Sequence, residues 1–169
     1  MKDDGTPDLA ARIDAFARVW APMPNGSGTT SQSIYASTLY SPAVDDFQPI
    51  AGVMYGLRQD ANFRTNYGVV NMSDKRMSFV VSFSSPSGVT RSETVFVEPN
   101  SMTQRAAPPA TFGPLTISVT PDQETPATLD IGAWTAYASS VDNRTGDAWY
   151  SKAQAAYPHN ERCFSATSR

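Results

Sequence analysis

Four side chains have the chemistry to bind a ligand: Arg58, Arg64, Asn66 and Tyr137. A guanidinium group can hold a carboxylate through two parallel hydrogen bonds. An amide group can bond to sugar hydroxyls, and a tyrosine ring offers a flat apolar surface with one polar end. In the structural alternative, Arg64 pairs with a carboxylate across a sheet and Asn66 satisfies backbone groups. Both interpretations of these residues stay open at this point.

A second candidate site is the acidic segment that contains Asp142, Asn143 and Asp147. Side-chain oxygens recur along it as in a calcium loop, because Ca²⁺ takes about six to eight oxygen ligands. The segment lacks the downstream bidentate glutamate of an EF-hand. The alternative is a turn, in which Asx side chains bond to nearby backbone and Gly146 takes a positive φ. Calcium is the only cofactor that the sequence suggests.

Residues that often serve in catalysis are sparse. His159 and Cys163 are the only histidine and cysteine, and they lie four residues apart in a polar C-terminal segment. Nothing in that segment positions them as a thiol and its base, and they cannot form a structural zinc site. Asp45 and Asp46 could form a glycosidase pair only if another carboxylate faced them across a cleft. We therefore assign no catalytic residue.

Alternating side chains indicate that strands position the candidate residues. Over residues 75–84, apolar side chains alternate with mostly hydroxyl-bearing ones. The turn-forming residues 85–88 follow, and residues 89–97 resume a β-rich run. This arrangement predicts a β-hairpin. Further strands are predicted at residues 13–20, 52–57, 63–71, 115–120 and 133–141.

These runs predict an all-β fold, an antiparallel β-sandwich of about seven to nine short strands, Ig-like or jelly-roll-like. Residues 25–33 and 102–113 are rich in Gly, Ser, Thr, Pro and Ala, so we expect surface loops there. Residues 151–156 could form one or two helical turns. The predicted sandwich domain spans residues 1–152, and residues 153–169 form a tail packed on the domain or on a neighbouring chain.

Aromatic residues suggest a further binding surface. The chain has three tryptophans and seven tyrosines, which could form a sugar-stacking platform on the outer face of a sheet. In the predicted strand 133–141, Trp134 shares a face with Ala136 and Ala138, whereas Tyr137 lies on the opposite face. We therefore expect one of these two rings to be buried and the other to be more exposed.

Composition excludes some partners. A formal charge of -3 and a pI near 5.0 argue against nucleic acid, which requires clustered Lys and Arg. No stretch approaches the roughly 18 apolar residues of a membrane span, so we expect no membrane insertion. The N-terminus is polar and acidic and does not resemble a signal peptide, so an exported form would have lost its signal. The single cysteine allows no internal disulfide.

Two segments carry a resemblance to a known module: residues 63–71, FRTNYGVVN, and residues 136–147, AYASSVDNRTGD. They resemble the "FRTNxGxVN" and "AYASxVDNxTGD" signatures of an uncharacterised module that recurs in secreted bacterial proteins. The resemblance covers about residues 10–150 and implies an extracellular β-sandwich that is often appended to larger proteins. It brings no established activity. This chain departs from the pattern at Tyr67, where Leu is usual, and at Ala148, where Pro is usual.

These observations lead us to expect a non-enzymatic module, secreted or at the cell surface, that serves adhesion, assembly or ligand binding. Its partners would be protein or glycan surfaces, and a homo-oligomer is left open. The alternative is a carbohydrate-active hydrolase or lyase with an Asp, Arg or Tyr site in a sheet groove. An enzyme needs a concave site with converging polar groups, whereas a binding module can use an exposed face.

Overall fold

The computed structural model describes residues 16–22, 29–35, 51–122 and 134–156. The candidates Asp45, Asp46, His159 and Cys163 lie outside these residues. Among the described residues, no helix is long and apolar enough to cross a membrane. The described strands are β1 (Phe16–Pro22), β2 (Thr29–Tyr35), β3 (Ala51–Gln59), β4 (Phe63–Asn71), β5 (Met77–Ser84), β6 (Thr90–Val97), β7 (Ser101–Ala106), β8 (Gly113–Pro121), β9 (Trp134–Asp142), β10 (Ala148–Lys152) and β11 (Gln154–Ala156).

Two antiparallel sheets form the body of the fold. One has four strands in the order β10-β9-β4-β7, and the other has five in the order β11-β3-β8-β5-β6. β1 and β2 form a separate antiparallel pair, and β2 comes close to β10. The predicted all-β antiparallel sandwich is therefore confirmed, and its two sheets hold nine described strands.

The central pairings match those of the immunoglobulin sandwich, but the outer ones do not. With β3 to β9 lettered A to G, the pairs β4–β7 and β5–β8 correspond to B–E and C–F of that fold. In the immunoglobulin order, A pairs with B and G pairs with F. Here β3 pairs with β8 and β9 pairs with β4, so the first and last of these strands have exchanged sheets. This exchange places β4 and β9 side by side.

Alternation places the core between the two sheets. On β5, every second side chain from Met77 to Phe83 is buried. From the other sheet, Tyr67 packs edge-to-face on Phe83 with ring centroids 5.4 Å apart. Trp134 packs on Phe79 at 5.3 Å. Aromatic pairs between opposite sheets therefore hold the sandwich together, in addition to the aliphatic burial.

Most strands lie where the alternation predicts them, but three expectations were wrong. The segment 25–33, expected as a loop, contributes to β2, and 102–113 contributes to β7. These strands are rich in Thr, Ser and Gln, and β7 is an edge strand whose side chains are mostly exposed, so neither shows apolar alternation. Residues 151–156 form parts of β10 and β11 instead of helical turns, because pairing with β9 and β3 satisfies their backbone groups. The start of the predicted tail thus pairs with the domain.

A bulge in β3 is tied to the other sheet by side chains. The register with β8 shifts between Met54 and Leu57, and Gly56 has φ +72°. The backbone N–H of Arg58 donates to Ser140 Oγ at 3.0 Å, and Thr65 Oγ1 donates to the Arg58 carbonyl at 2.6 Å. Because the Thr65 proton is used there, Ser140 donates in the 2.7 Å contact between the two hydroxyls. A closed ring of bonds therefore satisfies both backbone groups of Arg58, just after the bulge.

Asn71 organises the opposite end of the sandwich. Its side chain is fully buried, and its Nδ2 donates to the carbonyls of Lys75, Val97 and Glu98. Its Oδ1 accepts from the backbone N–H and the hydroxyl of Ser73. Asn71 thus joins the β4–β5 connection to the end of β6, which is a structural role.

Candidate functional site

The two segments that carry the resemblance lie side by side. β4 and β9 pair antiparallel along their whole length, from Phe63 opposite Asp142 to Asn71 opposite Trp134. Gly68 stands opposite Tyr137 in this register. Residues that are far apart in the sequence therefore share rows across the four-stranded sheet.

Outward-pointing side chains of this sheet form one face. Three of the four predicted ligand-binding residues, Arg64, Asn66 and Tyr137, lie on it. Its rows, read across the strands in register, are Arg64–Val141–Ala148, Ala106–Asn66–Ser139–Tyr150, Gln104–Gly68–Tyr137–Lys152 and Met102–Val70–Thr135.

Tyr137 lies across the neighbouring strand, in the space above Gly68. A Cβ added at Gly68 would stand 2.4 Å from Cζ, 2.5 Å from Cε1 and 2.6 Å from the hydroxyl of Tyr137. Three consecutive atoms at nearly equal distances mean that the ring turns its face, and not its rim, toward the backbone of Gly68. The glycine is therefore required by the ring above it, since any side chain would occupy the same space.

Tyr150 extends this aromatic surface onto β10. Its ring is nearly parallel to that of Tyr137, with an interplanar angle of 25° and centroids 5.8 Å apart. On the other side, the Tyr137 hydroxyl donates to Gln104 Oε1 at 2.8 Å. We name the two rings and the Gln104 carboxamide the tyrosine platform. It crosses all four strands of the sheet.

Both phenols of the tyrosine platform are protonated at neutral pH. Partial burial raises the pKa of Tyr137. Burial also raises the pKa of Tyr150, and the charge on a neighbouring Tyr137 phenolate would raise it further. A protonated phenol can both donate and accept a hydrogen bond. The platform therefore offers two uncharged aromatic faces with polar ends.

Arg64 and Asn66 share the face but differ in their surroundings. Arg64 Nη1 donates to Asn143 Oδ1 at 2.7 Å, so the arginine holds the loop between β9 and β10 and not a carboxylate across the sheet. Asn66 is half-buried in the row between Ala106 and Ser139. Both residues can contribute to a ligand surface beside the tyrosine platform.

Arg58 belongs to the other sheet. It lies just after the bulge of β3, where its Nε contacts Asp60 Oδ2 at 2.6 Å. Its guanidinium group lies 4.7 Å from the centroid of the Phe63 ring, and Phe63 contacts Trp149 edge-to-face at 5.6 Å. The Arg58 hydrogen bond lowers the pKa of Asp60. Arg58 thus packs at one end of the sandwich, apart from the tyrosine platform.

The acidic loop has the geometry of a turn. Asp142 Oδ1 accepts the backbone N–H of Arg144 at 2.7 Å, and the N–H of Gly146 donates to the Asp142 carbonyl at 2.8 Å. Asn143 Oδ1 is the acceptor for Arg64, and the N–H of Asp147 donates to Thr145 Oγ1. Within the described ranges, no three His, Cys, Asp or Glu residues assemble as a metal site. Calcium binding by Asp142, Asn143 and Asp147 remains a prediction, and two of its oxygens already have protein partners.

The outer face of the five-stranded sheet is different. The outward positions of β5, β6 and β8 carry mainly hydroxyl groups in matched rows, which we name the hydroxyl face. Its rows are Thr116–Ser84–Thr90, Ser118–Ser82–Ser92 and Thr120–Val80–Thr94. This face has neither a stacked aromatic pair nor a glycine beneath a ring among the described residues.

Sequence reasoning placed Trp134 and Tyr137 on opposite faces of one strand and expected one ring to be buried and the other more exposed. This expectation is confirmed, because Trp134 is 9% exposed and lies in the core, whereas Tyr137 is half-buried on the outer face. Sequence reasoning missed Gly68, Gln104 and Tyr150. The available signal was an isolated glycine inside a strand pattern, which indicates close approach by another group. The identity of that group depends on the register between β4 and β9.

No known family model matches the chain, and no curated protein matches it. Among solved structures, the crystal structure of Thermotoga maritima 1070 is similar at 9% sequence identity, with a TM-score of 0.49. The match covers 62% of this chain and 91% of that chain. A likeness at this level carries no argument about function.

Proposed function

We propose that the chain is a non-enzymatic β-sandwich module of a secreted or cell-surface protein, and that it binds glycans through the tyrosine platform. The observation that carries the proposal is the pair of nearly parallel rings, 5.8 Å apart, one of which lies over a glycine of the sheet. Adhesion to a glycan surface is the corresponding biological role.

The spacing of the rings suits a sugar chain. A separation of 5.8 Å is comparable with the advance of one pyranose residue along a chain, so successive sugars can stack on successive rings. The apolar C–H face of a sugar packs on an aromatic face, while its hydroxyls need polar partners at the edge. Gln104 and Asn66 supply amide groups in the adjoining rows.

The composition and the resemblance support the location. Charged residues make up only 17% of the chain, and much of its polar surface comes from Ser, Thr, Asn and Gln, as in extracellular β-proteins. One signature segment of the secreted module coincides with β4, and the other lies in β9 and the loop that follows it. This is the basis for placing the protein outside the cell.

The hydrolase form of the enzymatic alternative would need an acid beside the bound sugar. The outward positions of β4, β7, β9 and β10 carry no aspartate or glutamate. Glycan binding without hydrolysis is therefore the function that this face supports best.

The proposal is tested by a glycan array followed by calorimetry on the wild type, Tyr137→Ala and Tyr150→Ala. Each substitution should weaken binding of the selected glycan by about tenfold, which corresponds to about 1.4 kcal/mol of lost stacking. Tyr137→Phe should retain most of the affinity, because it keeps the ring. The matched control is Tyr55→Ala, which removes a tyrosine that is 57% exposed on β3 of the other sheet.

Circular dichroism would establish that each variant is folded. Loss of binding in Tyr55→Ala to the same degree as in Tyr137→Ala would place the ligand elsewhere. An array without any bound glycan would also contradict the proposal.

A further inference from the structure

The charges on the face of the tyrosine platform have one sign. Of the outward positions on β4, β7, β9 and β10, the only charged ones are Arg64 and Lys152, both basic. The chain as a whole has a formal charge of -3. The outward strand positions of this sheet are therefore opposite in charge to the chain that carries them, and the acidic loop with Asp142 and Asp147 lies at the end of the sheet, where Arg64 contacts Asn143.

Lys152 is the basic residue placed to act on a bound ligand. It stands directly opposite Tyr137 in the register between β10 and β9, and its side chain is exposed. Tyr150 lies on the same strand and the same face, two residues away. A flexible stem with a terminal ammonium group can therefore reach ligand groups that project from either ring.

Arg64 is the second basic residue of this face and lies farther along β4 from the tyrosine platform. It is four residues from Gly68 on the same face of β4, which corresponds to about 13 Å along the strand. Asn143 holds one nitrogen of its guanidinium group, and the arginine has further donors. Two separated cations beside an aromatic surface favour a ligand with repeated negative groups over one with a single charge.

We infer that the ligand is a linear acidic glycan, built of sugars that carry carboxylates. The inference rests on the proposed function and names the class of sugar. The two rings hold successive sugar faces, and Lys152 pairs with a carboxylate on the sugar above Tyr137. Because Lys152 is exposed, the charge contributes selectivity and a dependence on salt, while stacking supplies most of the affinity.

The test uses oligogalacturonides and alginate oligosaccharides, each compared with its methyl ester, which removes the charge and keeps the sugar chain. In low salt, the wild type should bind the acid form about two- to fivefold more tightly than the ester, as expected for an exposed charge pair. Lys152→Gln should reduce this preference, because the charge nearest the rings is lost while Arg64 remains. Lys75→Gln, in an exposed loop away from the face, should keep the preference. About 1 M salt should abolish it in the wild type, because the Debye length falls to about 3 Å.

Equal affinity for acid and ester would overturn the inference, and so would a preference for acid that is undiminished in Lys152→Gln. If the esters still bind and require Tyr137 and Tyr150, the proposed function stands while the acidic ligand fails. If no acid or ester binds while a neutral glycan does, the inference again fails alone. If no glycan binds, both fail.

Discussion

The two outer faces of the sandwich are built on the same strand geometry but carry different chemistry. On the four-stranded sheet, Gly68 in the inner strand β4 allows the ring of Tyr137 to lie over the backbone of that strand. On the five-stranded sheet, the inner strand β5 carries Val80 and Ser82 on its outer face, and hydroxyl groups occupy the neighbouring positions on β6 and β8. A sheet face becomes an aromatic platform only when some position is empty enough to receive a ring. The difference therefore rests on one missing side chain as much as on the aromatic residues.

Tyrosines of the core should contribute more to stability than tyrosines of the outer face. Tyr67→Ala should lower the free energy of unfolding by about 4 kcal/mol, because it opens a cavity against Phe83 and leaves Glu93 without its phenol partner. Tyr137→Ala should cost about 1 kcal/mol, since that ring is only half-buried. Urea denaturation of both variants measures the two values. Equal costs would mean that Tyr137 is part of the structural core.

The role of Gly68 can be tested by comparing a substitution there with the same substitution at Ser82, an outward position of the other sheet. Gly68→Val should force the Tyr137 ring away, break its bond to Gln104 and destabilise the fold by about 1 kcal/mol. Ser82→Val, on the hydroxyl face, should change stability by less than about 0.5 kcal/mol. The near-ultraviolet circular dichroism of the tyrosines should change only in Gly68→Val. An unchanged spectrum in that variant would show that the ring does not lie over residue 68.

The pH dependence of stability should also distinguish the tyrosines. Burial and the Glu93 carboxylate raise the pKa of Tyr67 above its usual value of about 10. The unfolded chain therefore loses this proton first, so the stabilisation is complete below pH 10 and falls as the pH rises above it. Tyr67→Phe should be less stable than the wild type at pH 8 but lose less stability between pH 10 and 11. Urea titrations at these pH values measure the slopes, and parallel slopes would contradict the assignment.

The smallest effect is expected in the acidic loop at the end of the aromatic sheet. Asp142→Asn keeps an acceptor oxygen for the N–H of Arg144, so stability should fall by less than about 0.5 kcal/mol. The melting temperature should be the same in calcium and in a chelator, for the wild type and the variant. A calcium-dependent rise that disappears in Asp142→Asn would instead favour the metal interpretation of this loop.

Sequence patterns predicted the strands whose inward side chains are apolar, because burial imposes a period of two on them. β7 was not predicted, because an edge strand whose side chains are mostly exposed has no such period. Within the site, the β-pattern predicted the strand at residues 63–71, which contains Arg64 and Asn66. It could not place Arg58, because the bulge at Gly56 shifts the alternation of β3. Nor could it bring Tyr150 and Gln104 to Tyr137, since their proximity depends on non-local strand pairing.

The close approach of Tyr137 to Gly68 also has an evolutionary consequence. Any side chain at position 68 needs the space that the ring now fills, so a substitution there is tolerated only if position 137 becomes small or its ring turns away. The two positions should therefore covary in related chains, although 68 residues lie between them in the sequence. Chains with an alanine or a serine at position 137 are those in which the glycine is free to change.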